Sequence, residues 1–163
     1  MTHTLDIRIG TLVSGGANTA NYIRQIKDHG FESFSITFCQ TLGDTDLVRL
    51  AGEVKEAIGD SDIKISSVAV FGNPLETTEI DQQTRRGWET LIDNAHLFGA
   101  DIVTGFTGRL RGKPIPDSLP RFKEVFTPLA QRAADQGIRL AFENCSMDGD
   151  WKTGDWNIAH NPK

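Results

Sequence analysis

Ile138-Arg139-Leu140-Ala141-Phe142-Glu143-Asn144-Cys145-Ser146 is the stretch on which the fold turns. Its first five residues read as a strand, and the run ends on a carboxylate where strand gives way to loop. An acid at the exit of a buried strand must be hydrogen-bonded, bound to a cation, or desolvated at a cost. The loop beyond it, residues 147–161, holds Asp148, Asp150, Lys152, Asp155 and His160 with Trp151 and Trp156. Charge and aromatic surface gathered beside a strand end describe a ligand site, and the earlier chain reads as its scaffold.

Upstream, the same two-part pattern repeats. Phe122, Val125, Phe126, Leu129, Ala130 and Ala133 recur at the helical period, after Asp117 or Ser118 as cap and before Gly137 as stop. The strand Asp101–Phe106 precedes that helix. Before it comes a helix following Glu79, with Trp88, Leu91, Ile92 and Ala95 on one face and Gly99 at its end. Ile63–Phe71 is a further strand, closed by Gly72-Asn73-Pro74. The helix ahead of it starts at Asp44 or Asp46, carries Leu47, Leu50, Ala51, Val54 and Ile58, and stops at Gly59. Phe31–Phe38 is a strand. A helix with Tyr22, Ile23 and Ile26 leads into it, capped by Asn18 or Thr19 and ended by Gly30. The first strand is Leu5–Leu12, turned by Ser14-Gly15-Gly16.

Strand and helix therefore alternate four times and a fifth strand follows. Each unit takes about 30 to 40 residues, as in a (β/α)8 TIM barrel of roughly 250 residues. The expectation is an α/β fold of TIM-barrel type, here an incomplete barrel of four βα units and a fifth strand, residues 1–163 forming one domain. A doubly wound open sheet is the competing arrangement. No Gly-x-Gly-x-x-Gly follows the first strand, which argues against a dinucleotide-binding version. Asn161-Pro162 has the look of a helix start, so the chain is expected to be the N-terminal part of something longer, a polar tail being the alternative.

Composition narrows the function classes. A hydrophobic share of 38% and a charged share of 24% belong to a globular domain. A net charge of −5 disfavours an electrostatic grip on nucleic acid or an anionic membrane. No apolar run reaches the roughly 20 residues of a membrane span, and the first residues lack a signal peptide's basic and apolar regions. Cys39 and Cys145 are far apart and form no Cys-x-x-Cys, so two reduced, buried, inert thiols in a cytoplasmic protein are expected.

Among chemistry-bearing residues, Glu143 leads. Strand carboxyl ends line the active face of parallel α/β folds, where an acid is placed for metal ligation or proton transfer. A structural carboxylate satisfied by loop N–H groups is the alternative. Arg109, Arg111 and Lys113 follow the fourth strand and read either as a phosphate grip or as a solvated basic loop. Asp148-Gly149-Asp150 hints at calcium but lacks the remaining ligands of an EF-hand loop.

Leu140-Ala141-Phe142-Glu143-Asn144-Cys145 and Gly154-Asp155-Trp156-Asn157-Ile158-Ala159-His160-Asn161-Pro162 resemble the sugar phosphate isomerase/epimerase group of xylose isomerase-like TIM barrels. Phe71-Gly72-Asn73-Pro74-Leu75 and Thr104-Gly105-Phe106-Thr107-Gly108-Arg109, with Arg111-Gly112-Lys113-Pro114, resemble it too, so the likeness covers essentially the whole chain. The resemblance implies a metal-dependent isomerase or epimerase of a small sugar or sugar phosphate, working by enediol-type proton transfer. It implies a divalent Mn, Mg or Zn ion with Glu143 as ligand and acid/base. His160, Trp156, Arg109 and Lys113 would face the substrate. The family's remaining metal ligands, an Asp, a His and a second Glu, would lie beyond Lys163. The chain alone is thus expected to be inactive and to self-associate through open sheet edges, without nucleic-acid or membrane partners. A non-catalytic fragment acting only in association or ligand binding is the alternative. An apurinic endonuclease is disfavoured by the acidic charge and by the lack of histidines at the third and fourth strand exits.

Overall fold

The computed structural model describes residues 7–159. Five strands and four helices alternate: β1 Gly10–Ser14, α1 Thr19–Ile26, β2 Ser33–Cys39, α2 Leu47–Ile58, β3 Lys64–Phe71, α3 Glu79–Asn94, β4 Ile102–Gly105, α4 Ile115–Asp135 and β5 Arg139–Phe142. Short 3-10 turns, Lys27–His29 and Ala95–Phe98, prolong α1 and α3. Gly30 and Gly99 end them with φ of 88° and 69°, a left-handed turn that any side chain would strain.

Helix α2 shows local sequence deciding local structure. The Asp46 side chain accepts a hydrogen bond from the Arg49 N–H at 3.0 Å, so Asp46 rather than Asp44 is the cap. Leu47, Leu50, Ala51 and Val54 are buried as their spacing requires, joined by Ala57, while Ile58 packs at the edge of the core. Helix α4 departs from its reading. It begins at Ile115 with Pro114 as cap residue and Pro116 in the first turn, not at Asp117 or Ser118. The Ser118 hydroxyl accepts from the Leu110 N–H of the preceding loop instead. Ala130, expected on the apolar stripe, is exposed. Pro120 and Pro128 sit inside this helix, and buried Val125, Phe126 and Leu129 hold it to the sheet despite them.

The strands run in the order β1-β2-β3-β4-β5, every neighbouring pair parallel. Sequential order without reversal is that of a barrel being wound; a doubly wound sheet would reverse at a switch point. The competing arrangement is excluded. Register puts Val13, Ile36, Val68, Val103 and Leu140 in one row on the helix side. Four of them are fully buried and Leu140 packs against the same core. Phe142 joins this side through ring contacts with Trp88, Phe122 and Phe126 at 5.0–6.0 Å between centroids.

The opposite, concave face carries Ser14, Thr37, Ala69, Thr104 and Ala141 in the next row. Leu12 on this face is 60% exposed. Among the described residues, β1 and β5 each have one unpaired edge.

Candidate functional site

Glu143 continues the β4–β5 ladder one residue past the strand, its N–H donating to the Gly105 carbonyl at 3.1 Å. Side chains alternate along a strand, and Phe142 is held on the helix side, so Glu143 belongs to the concave side with Ala141. Extending the register places it beside Phe106, whose ring lies 5.0 Å from that of Phe71. Glu143 is exposed, and its carboxylate has no partner among the described residues. The Glu143 carboxylate thus faces solvent at the carboxyl rim of the parallel sheet and is not spent on capping its own loop.

Two carboxamides that the sequence reading passed over build the rim around it. Asn157 is 1% exposed. Its Nδ2 donates to the Glu143 and Cys145 carbonyls, both at 2.9 Å, while Oδ1 accepts from the N–H and hydroxyl of Thr107. Asn73, also 1% exposed, ties the β3 exit to two loops. Its Nδ2 donates to the carbonyls of Arg109 (2.6 Å) and Asp155 (2.8 Å), and Oδ1 accepts from the Arg109 and Leu75 N–H groups.

The basic cluster does not act as a unit. Arg109 is 0% exposed, turned into the space under Gly149 and Gly154. Its Nε donates to the Lys113 carbonyl and its Nη1 to the Asp150 carbonyl, at 2.9 and 2.6 Å, and Nη2 has no partner among the described residues. Burial draws its pKa below the usual arginine range, with the charges of Asp150 and Asp155 pulling it back. Neither reading of the sequence fits this residue. It is not solvated, and it has no surface with which to grip a substrate; it is a staple between two loops. Arg111 makes a two-pronged pair with Asp81 at 2.9 and 2.6 Å. Lys113 stays exposed on the loop.

Asp81 is 2% exposed at the start of α3. Burial opposes its charge, but hydrogen bonds from Arg111 and Thr78 outweigh it and hold the carboxyl below its ordinary value. The linkage sign follows. A carboxyl depressed in the folded state stabilises fully above its unfolded value of about 3.9, and that stability is lost as pH falls through the lower folded value. Urea midpoints are therefore expected to fall below about pH 4. Arg111→Met should lower the neutral-pH midpoint and flatten the acid loss; an unchanged acid slope would remove Asp81 as its source.

The remaining sequence candidates scatter. Trp156 is half-buried and Trp151 is 51% exposed. His160 lies outside the described residues. Both thiols are free, yet Cys39 is exposed and Cys145 half-buried, so the expectation of two buried thiols is corrected. The cause is strand phase: Cys39 falls on the concave side, opposite buried Phe38. Among the described residues, no three His, Cys, Asp or Glu side chains come together as a metal site. Glu143 offers one ligand where catalytic divalent ions take about three or more from protein. These residues by themselves do not fit a complete metal centre.

A family model described as xylose isomerase-like TIM barrel matches residues 23–157. The chain belongs to the xylose isomerase-like TIM barrel family. Solved structures agree in fold. An L-ribulose 3-epimerase is 16% identical with a TM-score of 0.64, covering 91% of this chain and 52% of that one. A D-psicose 3-epimerase crystallised with D-fructose is 13% identical with a TM-score of 0.65, covering 88% and 54%. A family member from Mycobacterium smegmatis in complex with magnesium is 19% identical with a TM-score of 0.61, covering 83% and 54%. The chain thus spans about half the length of the solved structures it matches. A curated protein, 7-cyano-7-deazaguanine synthase of Desulfatibacillum aliphaticivorans, is 20% identical over 155 residues, covering 78% of this chain and 64% of its own length. No described helix is long and apolar enough to cross a membrane.

Proposed function

We propose that residues 1–163 form the N-terminal part of a sugar isomerase or epimerase barrel in which Glu143 moves the proton. The single observation behind this reading is the Glu143 carboxylate, exposed and without a partner among the described residues on the concave carboxyl rim, in a fold whose solved neighbours include ketose 3-epimerases. A carboxylate there takes the proton from the carbon beside a sugar carbonyl; the C–H electron pair becomes a C=C bond, the carbonyl π pair moves onto oxygen, and an enediolate forms. Return of a proton to the other face gives the epimer; return to the neighbouring carbon gives the isomer. Return from the far side needs a second group, so the chain alone is expected to be inactive. Glu143 is also the one ligand the described rim would contribute to a divalent Mn, Mg or Zn ion of a complete barrel. Free thiols at Cys39 and Cys145 accord with a cytoplasmic setting.

On substrate class, the arginines favour a neutral sugar over a sugar phosphate. Arg109 is buried on carbonyls and Arg111 is engaged by Asp81, which leaves no free guanidinium in this loop for a phosphate. The concave row below the rim, Ser14, Thr37, Ala69, Thr104 and Ala141, carries hydroxyl and apolar side chains instead. Saturation-transfer NMR with L-ribulose and with its phosphate ester tests this. Transfer to the neutral ketose that the phosphate does not strengthen is expected; tighter binding of the ester would overturn it.

A second reading, association without catalysis, draws on Ile7 and Ile9, 73% and 66% exposed, beside the open β1 edge. Sedimentation velocity should show concentration-dependent association of the 163 residues. A monomer at all concentrations would dismiss self-association.

A further inference from the structure

We propose that Asn157 is the positioning residue of Glu143: it sets where that carboxylate stands without touching the reacting atoms. The inference rests on the reading of Glu143 as the proton-moving group and deepens it. The Glu143 side chain has no hydrogen bond among the described residues, so nothing at the carboxylate itself fixes its place. A proton-transfer group has to be held within about half an ångström of its working position. At Glu143 that constraint comes through the main chain.

β5 ends at Phe142, and the chain leaves the ladder after the single Glu143–Gly105 bond. Beyond that bond, the Glu143 and Cys145 carbonyls are both taken by the Nδ2 of Asn157. This brackets Asn144 by holding the carbonyl of the residue before it and that of the residue after it. The other end of the same carboxamide is anchored on β4's exit by two donors of Thr107. The Asn157 backbone is itself fixed there, bridged to Gly108, and the following Ile158 N–H donates to the Gly108 carbonyl at 3.1 Å. One buried amide therefore continues the β4–β5 pairing past the point where the strands stop pairing, at the residue where the carboxylate projects.

The chemistry demands a carboxamide. Two carbonyls need two N–H donors, and two Thr107 donors need an oxygen on the same planar group. Aspartate has the shape but no donors, serine cannot reach both sides, and glutamine is one methylene too long for a site with 1% exposure.

The test uses the isotopically labelled 163-residue protein with trace Mn2+ as a paramagnetic probe of exposed carboxylates. In the unmodified chain, broadening is expected at the backbone signals of Phe106, Ala141 and Thr104, and Glu143→Gln should remove it. Asn157→Ala should reduce that broadening at least threefold and speed amide exchange at Glu143 at least tenfold, with Val68 and Val70 exchange unchanged within twofold. Should Asn157→Ala fail to fold, Thr107→Val takes its place and must show both changes at smaller size. Broadening that survives Glu143→Gln would sink the underlying reading of Glu143. Broadening lost in Glu143→Gln but unaltered in Asn157→Ala, or in Thr107→Val where that variant decides, would overturn the role of Asn157 alone.

Discussion

Gly105→Ala is expected to cost about 4 kcal/mol, at the severe end of single substitutions. A methyl at this position would stand 2.1 Å from the Val70 carbonyl oxygen and 2.8 Å from Cζ2 of Trp88. Neither neighbour can retreat. Val70 is fully buried in β3 and registered against both Phe38 and Gly105, and Trp88 is 0% exposed and packed edge-on to Phe126 at 5.2 Å. Glycine stands here because β3 and α3 approach β4 closely, and that approach sets the height of the rim on which Glu143 sits. Urea unfolding followed by tryptophan fluorescence measures the cost. A loss under about 1 kcal/mol would mean that β3 and β4 are farther apart than described.

Asn73→Ala is expected to cost about 3 kcal/mol. Its carboxamide serves four backbone groups with almost no contact to solvent, and alanine leaves two carbonyls and two N–H groups without partners. The loss should be local in origin. Amide exchange at Arg109 and Leu75 is expected to accelerate before that of the strands, because both N–H groups lose their acceptor. Asn73→Asp separates the halves of the amide: it keeps the acceptor for both N–H groups, so their protection should persist while the donors to Arg109 and Asp155 are lost.

How much of this was legible in the sequence depends on distance along the chain. The Leu47, Leu50, Ala51, Val54 stripe specified its helix because period alone decides which face is buried. The β5 stretch also reads as a strand ending at Glu143, but the sides taken by Phe142 and Glu143 come from packing against Trp88. Helix α4 was misread at its start because Pro114 and Pro116 look like loop, although proline suits a first helical turn. The basic loop was misread for a different reason. Arg109, Arg111 and Lys113 are neighbours in sequence, but their fates are set by Asp150, Asp81 and solvent, 41 and 30 residues away for the first two. Asn73 and Asn157 were passed over on the same ground. An asparagine in a loop is ordinary, and nothing near Asn73 announces a partner 82 residues on, nor near Asn157 one 50 residues back.

Deuterium uptake from solvent at the carbon beside a ketose carbonyl tests the assignment of Glu143 most directly, followed by NMR with Mn2+ present in the 163-residue protein and its Glu143→Gln variant. Uptake at least a thousandfold slower than that of an intact L-ribulose 3-epimerase run alongside is expected, and whatever remains should vanish in Glu143→Gln, in line with the roughly 10²–10⁴-fold a positioned acid–base group supplies. Turnover matching the intact epimerase, or residual uptake indifferent to Glu143→Gln, would contradict it.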